Sequence, residues 1–234
     1  MTVFRISTVR AVEILDSRGR PTVAVQVSAA DGVTGRCSVP SGASTGSGEA
    51  VELRDGDPKR FGGLGVRRAV DAVNGEIADL LTSRPWSGLA EVDGALIKLD
   101  GTSNKFRLGA NAILGVSVAV ARTLAASAGV ALWSWLRPDG VPARMPVPHF
   151  NVLNGGAHAP NDLDFQEFMV APLGAPNFPE ALRAGAEVYG RLRTLLTERG
   201  LATGLGDEGG FAPELSRPED VLTLLVQAIE AAGY

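Results

Sequence analysis

Between Gly206 and Pro213 the chain reads GDEGGFAP, which sets two adjacent carboxylates, Asp207 and Glu208, among glycines directly after an apolar, helix-like segment. Glycine lets a backbone turn sharply and approach a ligand closely, so carboxylates here are presented with little side-chain bulk to hide them. The pattern suits a reacting group. It is also what an ordinary acidic surface turn looks like, so its meaning depends on whether other parts of the chain converge on it.

Three further stretches are polar where their neighbours are apolar. Asn151–Ala159, NVLNGGAHA, runs from a strand into a double glycine and then to His158, one of only two histidines. The double glycine is expected to leave the ring accessible, as a binding or proton-handling imidazole would need, although a loop histidine is as readily structural. Gln166 and Glu167 open an apolar strand that ends in Met169 and Val170. A carboxylate there is costly unless it is paired or functional, which leaves a salt bridge and a reactive role both open. Ser41–Gly46 offers hydroxyls and backbone N–H groups suited to a hard cation or a phosphate, or simply to solvent.

The elements that must position these groups follow from periodicity. Thr22–Ser28 and Val33–Val39 alternate apolar and polar residues, Ile6–Leu15 is a third strand candidate, and turn chemistry at residues 16–21 and 30–32 separates the three, which predicts a three-stranded antiparallel meander with Cys37 in its core. The small-residue loop Pro40–Gly48 follows as a mobile connection. Val66, Ala69, Val70, Val73, Ile77 and Leu80 then recur at helical spacing, with further helical patterns at Leu89–Leu99 and Ala110–Ala126. Strands followed by helices make an α+β unit, here residues 1–138.

The prolines and glycine of residues 137–142 break the chain, and a second unit is expected over residues 143–234. There Val147–Leu153 and Phe165–Ala171 read as short buried strands. Phe178–Leu196 and Pro218–Ala232 read as amphipathic helices, with Asn177 and Ser216 available as N-caps. Strands alternating with helices suggest a parallel-barrel architecture, but about 95 residues are too few to close a barrel that needs roughly 200 or more. Carboxylates and a histidine at successive strand ends would meet at the C-terminal mouth of such a barrel, over which Ser41–Gly46 could close.

Composition narrows the alternatives. A net charge of −4 with no basic run gives no electrostatic footprint for nucleic acid or an anionic membrane. A single cysteine excludes an internal disulfide and suits a reducing cytosol. Leu108–Leu136, the most apolar region, is interrupted by Asn111, Arg122 and glycines, and so reads as a buried helix pair rather than a membrane span.

Taken together the motifs resemble the enolase family, the phosphopyruvate hydratases of glycolysis. The matching stretches are Asp16–Thr22, Pro40–Gly46, Glu49–Asp57, Gly101–Gly115, Asn154–His158, Gln166–Met169 and Gly206–Gly210. They span the whole chain, as an N-terminal domain plus the first part of the barrel domain.

The resemblance implies a magnesium-dependent carbon–oxygen lyase that interconverts 2-phosphoglycerate and phosphoenolpyruvate, dimeric and cytoplasmic, with surface or secreted display known in some members. It implies Glu208 as the general acid that protonates the departing hydroxyl and Glu167 as the carboxylate that assists it. His158, Gln166 and Glu167 would contact substrate, and Ser44 would reach a magnesium ion. That such sites use a Lys or His base with Mg²⁺ is a known pattern of this superfamily.

The lysines here are Lys59, Lys98 and Lys105, all in the first unit. The base and the principal magnesium ligands are therefore expected on strands this chain does not reach, which leaves the chain inactive alone, one half of a split enzyme, or a non-catalytic interaction or dimerisation module. A weaker reading keeps only phosphate binding at Ser41–Gly46 and His158. Arg20 and His149 stand where the family usually has Asn and an apolar residue.

Overall fold

A computed structural model describes residues 3–42 and 44–234, and divides the chain into two compact units, Met1–Val141 and Pro142–Tyr234.

In the first unit, β1 (Phe4–Leu15), β2 (Pro21–Ala29) and β3 (Thr34–Ser38) form the antiparallel meander that alternation predicts. A two-residue strand, β4 (Pro85–Trp86), pairs with the start of β1 and gives the order β3-β2-β1-β4. So short a strand carries no periodicity to read in sequence. Its side chain explains its place: Trp86 is fully buried and donates its indole N–H to the Leu81 carbonyl at 2.8 Å.

The helical run that follows is α1 (Arg67–Ala72), a π-turn at Val73–Ile77 and α2 (Ala78–Thr82). Gly75 leaves helical dihedrals inside that turn, and Asn74 alongside it exchanges two hydrogen bonds with the Ala11 backbone of β1. Then come α3 (Leu89–Asp100), α4 (Ala110–Ser127) and α5 (Leu132–Leu136).

Helix α4 is long and apolar enough to cross a membrane by length and composition alone, yet its buried face of Ala112, Val116, Ala119 and Val120 belongs to the core with Val23, Val25 and Val27 of β2. The approach is so close that a Cβ on Gly35 would stand 2.3 Å from the Ala119 carbonyl oxygen. Helix α5 departs from the expected buried pair, because none of its residues is buried and Trp133 and Leu136 are exposed.

In the second unit the strands are shorter than the apolar runs suggest: β5 spans Phe150–Asn154 and β6 Glu167–Val170. Nor is β6 buried throughout, since Phe168 and Val170 face the core while Met169 is exposed. Only one face of the strand is covered, and the alternation follows from that. The two strands pair antiparallel. Their connection, residues 155–166, contains one 3₁₀ turn and no crossover helix, whereas a parallel pair needs such a crossover.

Parallel geometry enters only after α6 (Phe178–Glu198), where Phe211 bridges Leu153 in the parallel sense. Helix α7 (Pro218–Ala231) follows, and Val188, Leu192 and Leu196 of α6 meet Val221, Leu224 and Leu225 of α7 in the core beneath the strands. Asn177 caps α6 as its residue type predicts, accepting from the Glu180 N–H at 3.0 Å. Ser216 does not cap α7, because the helix begins one residue later and places Arg217 at the N-cap with no side-chain bond.

Candidate functional site: the acidic turn and its histidine

The acidic stretch folds into a miniature hairpin. Leu205 and Phe211 pair antiparallel, the Gly206 N–H donates to the Gly210 carbonyl at 2.8 Å, and the Gly209 N–H donates to Gly206 at 3.2 Å. Asp207 and Glu208 are therefore the two central residues of a β-turn, and Gly209 leaves it with φ +83°, a left-handed conformation that glycine adopts without strain. The turn does not wave free. Phe211 donates to Val152 at 3.0 Å and accepts from Asn154 at 2.8 Å, which welds the hairpin to β5, and the Asp207 N–H donates to the His158 carbonyl at 3.2 Å.

The glycines on either side of Glu208 are there for proximity. A Cβ on Gly210 would lie 2.5 Å from Asn154 Oδ1 and 2.8 Å from the Leu153 nitrogen, and one on Gly206 would lie 2.6 Å from the His158 carbonyl oxygen. Such distances leave no room for any side chain, so the GG and G-D steps are packing devices as well as turn formers.

His158 departs from expectation. Its ring is buried, with 3% of the side chain exposed, because Gly155 and Gly156 fold the turn inwards rather than opening it: the Gly155 N–H donates to Gln166 at 3.0 Å and the Gly156 N–H to Leu163 at 2.7 Å. A Cβ on Gly155 would meet Leu163 at 2.5 Å.

The Gln166 amide nitrogen bonds the ring Nε2 of His158. This contact ties the buried ring to the start of β6. Glu208 Oε1 approaches the same Nε2 to 4.0 Å with its carboxylate 39% exposed. Three of the residues singled out in the sequence, His158, Gln166 and Glu208, are thus brought together within the second unit.

Glu167 is half-buried at the start of β6, opposite Asn154. Ser44 is exposed in the loop after β3 of the first unit. The base of its loop is held firmly: Ser41 accepts at its carbonyl from Arg18 at 2.6 Å, its hydroxyl donates to Glu52 at 3.0 Å, and the same oxygen accepts from Arg54 at 2.8 Å.

Sequence reasoning passed over two asparagines. Asn154 is fully buried with Oδ1 unpartnered, and Asn151, on the same strand, has both side-chain polar atoms buried and unpartnered. An amide without partners inside a fold is costly and calls for an explanation. The available signal was an asparagine twice interrupting the otherwise apolar FNVLN. Asn151, His149, Tyr189, Glu208 and Gly209 line a cleft of about 430 Å³.

Among the described residues no three carboxylate, imidazole or thiolate side chains gather as a metal site. A hard cation such as magnesium takes several oxygen ligands, so the residues present do not by themselves make a magnesium cage.

An antiparallel meander with helices, followed by the opening strands and helices of a TIM-type barrel that carries a carboxylate and a histidine on its loops, defines a two-unit α/β-barrel protein. Residues 6–136 match the family model described as enolase, N-terminal domain, and residues 142–234 match that described as enolase, C-terminal TIM barrel domain. The chain belongs to the enolase family. It is 56% identical over 229 residues to an enolase of Rubrobacter xylanophilus, an alignment that covers 98% of this chain and 53% of that protein. The chain thus spans about half the length of the relative it matches.

Proposed function

We propose that the chain takes part in the reversible, magnesium-dependent dehydration of 2-phosphoglycerate to phosphoenolpyruvate in the cytoplasm, and that it supplies the acid side of that reaction. Glu208 gives its proton to the hydroxyl that leaves as water, while Glu167 shares the hydrogen bond to that hydroxyl. His158, held in place by Gln166, binds substrate together with Gln166. The observation that carries this reading is the grouping of Glu208 with His158 and Gln166, beside a turn fixed to β5 through Phe211 and to the His158 carbonyl through Asp207. The unpartnered amide of Asn151 and the unpartnered Oδ1 of Asn154 support a polar ligand nearby.

The base that takes the substrate carbon proton is assigned to none of the second unit's residues, which include no lysine. Ser44 would offer a hydroxyl to a magnesium ion, which the described residues do not by themselves enclose. Preorganised charge and metal provide much of the rate in such reactions.

The test is phosphoenolpyruvate formation by the purified chain with magnesium, beside a fusion of the chain to the rest of the Rubrobacter xylanophilus barrel. The expected result is turnover in the fusion and none above background in the chain alone. Turnover by the chain alone at the rate of a full-length enolase would sink the division of labour, and an inactive fusion that binds no substrate would sink the reaction.

A further inference from the structure

One residue outside the motifs touches both halves of the acidic turn. Tyr189 of α6 lays its ring flat on Phe211, with centroids 4.4 Å apart and planes 8° apart, and its hydroxyl donates to the Gly209 carbonyl at 3.0 Å. Phe211 is the residue that welds the hairpin to β5, and Gly209 directly follows Glu208. The hydrogen bond and the stack therefore tie the turn to α6 as well as to the strand.

Tyr189 and Glu208 face the same cleft, so the clamp lies against the space a ligand would fill rather than behind it. Burial pushes the Tyr189 phenol above its ordinary value, offset in part by Arg193, so it remains a proton donor at neutral pH.

We propose that Tyr189 is the positioning residue of Glu208: its ring fixes the hairpin stem, and its hydroxyl fixes the Gly209 peptide and with it the direction in which the carboxyl points. The inference rests on the reading of Glu208 as the acid, but its geometric part stands apart from that reading.

Tyr189→Phe keeps the stack and removes only the hydroxyl. In the intact chain, amide hydrogen exchange followed by NMR is expected to speed up roughly fivefold at Asp207 and Gly209, the equivalent of one lost hydrogen bond. The His158 ring signals, beside Glu208, should shift with them. The amides of Leu192 and Leu196 in the body of α6 should be unchanged. Unchanged exchange at Asp207 and Gly209 would overturn the proposal, and so would equal acceleration throughout α6, which would make Tyr189 merely structural.

In the fusion, Tyr189→Phe is expected to slow dehydration about tenfold while proton exchange at the substrate carbon continues at the wild-type rate. If the turn loosens but dehydration does not slow, positioning stands and the acid role of Glu208 fails.

Discussion

The two units differ in where their buried polar atoms find partners. In the first, carboxylates are bound into the fold. Glu13 pairs with both guanidinium nitrogens of Arg60 and accepts from the Val66 N–H at 2.9 Å, and buried Asp100 accepts from the Thr102 and Leu108 N–H groups at 2.9 and 2.8 Å.

In the second unit the Glu208 carboxylate lies beside His158 and a cleft, and three of the four buried side-chain atoms without partners among the described residues belong to Asn151 and Asn154. A saturated network stabilises a scaffold, whereas unsatisfied polar groups are tolerated where a ligand completes them. The unsatisfied amides gather in the second unit, on the strand to which the turn of Glu208 is bonded.

Spectroscopy can separate the two, because Trp86, Trp133 and Trp135 lie in the first unit and Tyr189 and Tyr234 in the second. The largest expected effect is Trp86→Ala, which empties a fully buried site and strands the Leu81 carbonyl. It should cost about 3–5 kcal/mol, read as earlier loss of the remaining tryptophan signal in urea while the tyrosine signal keeps its midpoint. If both signals move together, the units are one cooperative fold.

Acid should come next, read on the first unit through its tryptophans. Glu13 is lowered from the usual 4.5, by its Arg60 hydrogen bonds above all and against the cost of burial. Asp100 is lowered from 3.8 because its hydrogen bonds to Thr102 and Leu108, with Arg107 nearby, outweigh the upward push of burial. Glu91 is held at about 2 by the Ser87 N–H, Arg84 and the Ser87 hydroxyl. Groups depressed in the folded state stabilise it above their unfolded values and cease to do so as pH falls through the folded ones. Tryptophan-detected stability should therefore be constant above about pH 4.5 and decline toward about pH 2, with Asp100→Asn shrinking that decline. A flat profile over that range would remove the saturated-network account.

The smallest effect is Asn177→Ala at the start of α6, expected at ~1 kcal/mol and confined to the tyrosine signal. An equal loss at Ser216→Ala would contradict the observed cap assignment.

How much of this was legible beforehand follows from where the information is local. Alternation fixed the meander, and apolar spacing fixed the helices, because each depends on residues within one element. The motif residues Glu208, His158 and Gln166 were legible as a set through their family resemblance. What was hidden depends on contacts distant in sequence. The double glycine buries His158 instead of exposing it, since its value lies in approach to Leu163 and Gln166. The antiparallel β5–β6 pair follows from the shape of a connection, not from strand composition. Tyr189 reads as an ordinary helix residue until Phe211 and Gly209 are seen against it.

The most direct test of the central claim is Glu208→Gln in the fusion, with dehydration of 2-phosphoglycerate and proton exchange at its carbon measured side by side. The amide keeps the size of the side chain but has no acidic proton to give. Dehydration should fall on the order of a thousandfold with exchange retained. Loss of both to the same extent, or of neither, would contradict the assignment of the acid to the turn at Gly206–Gly210.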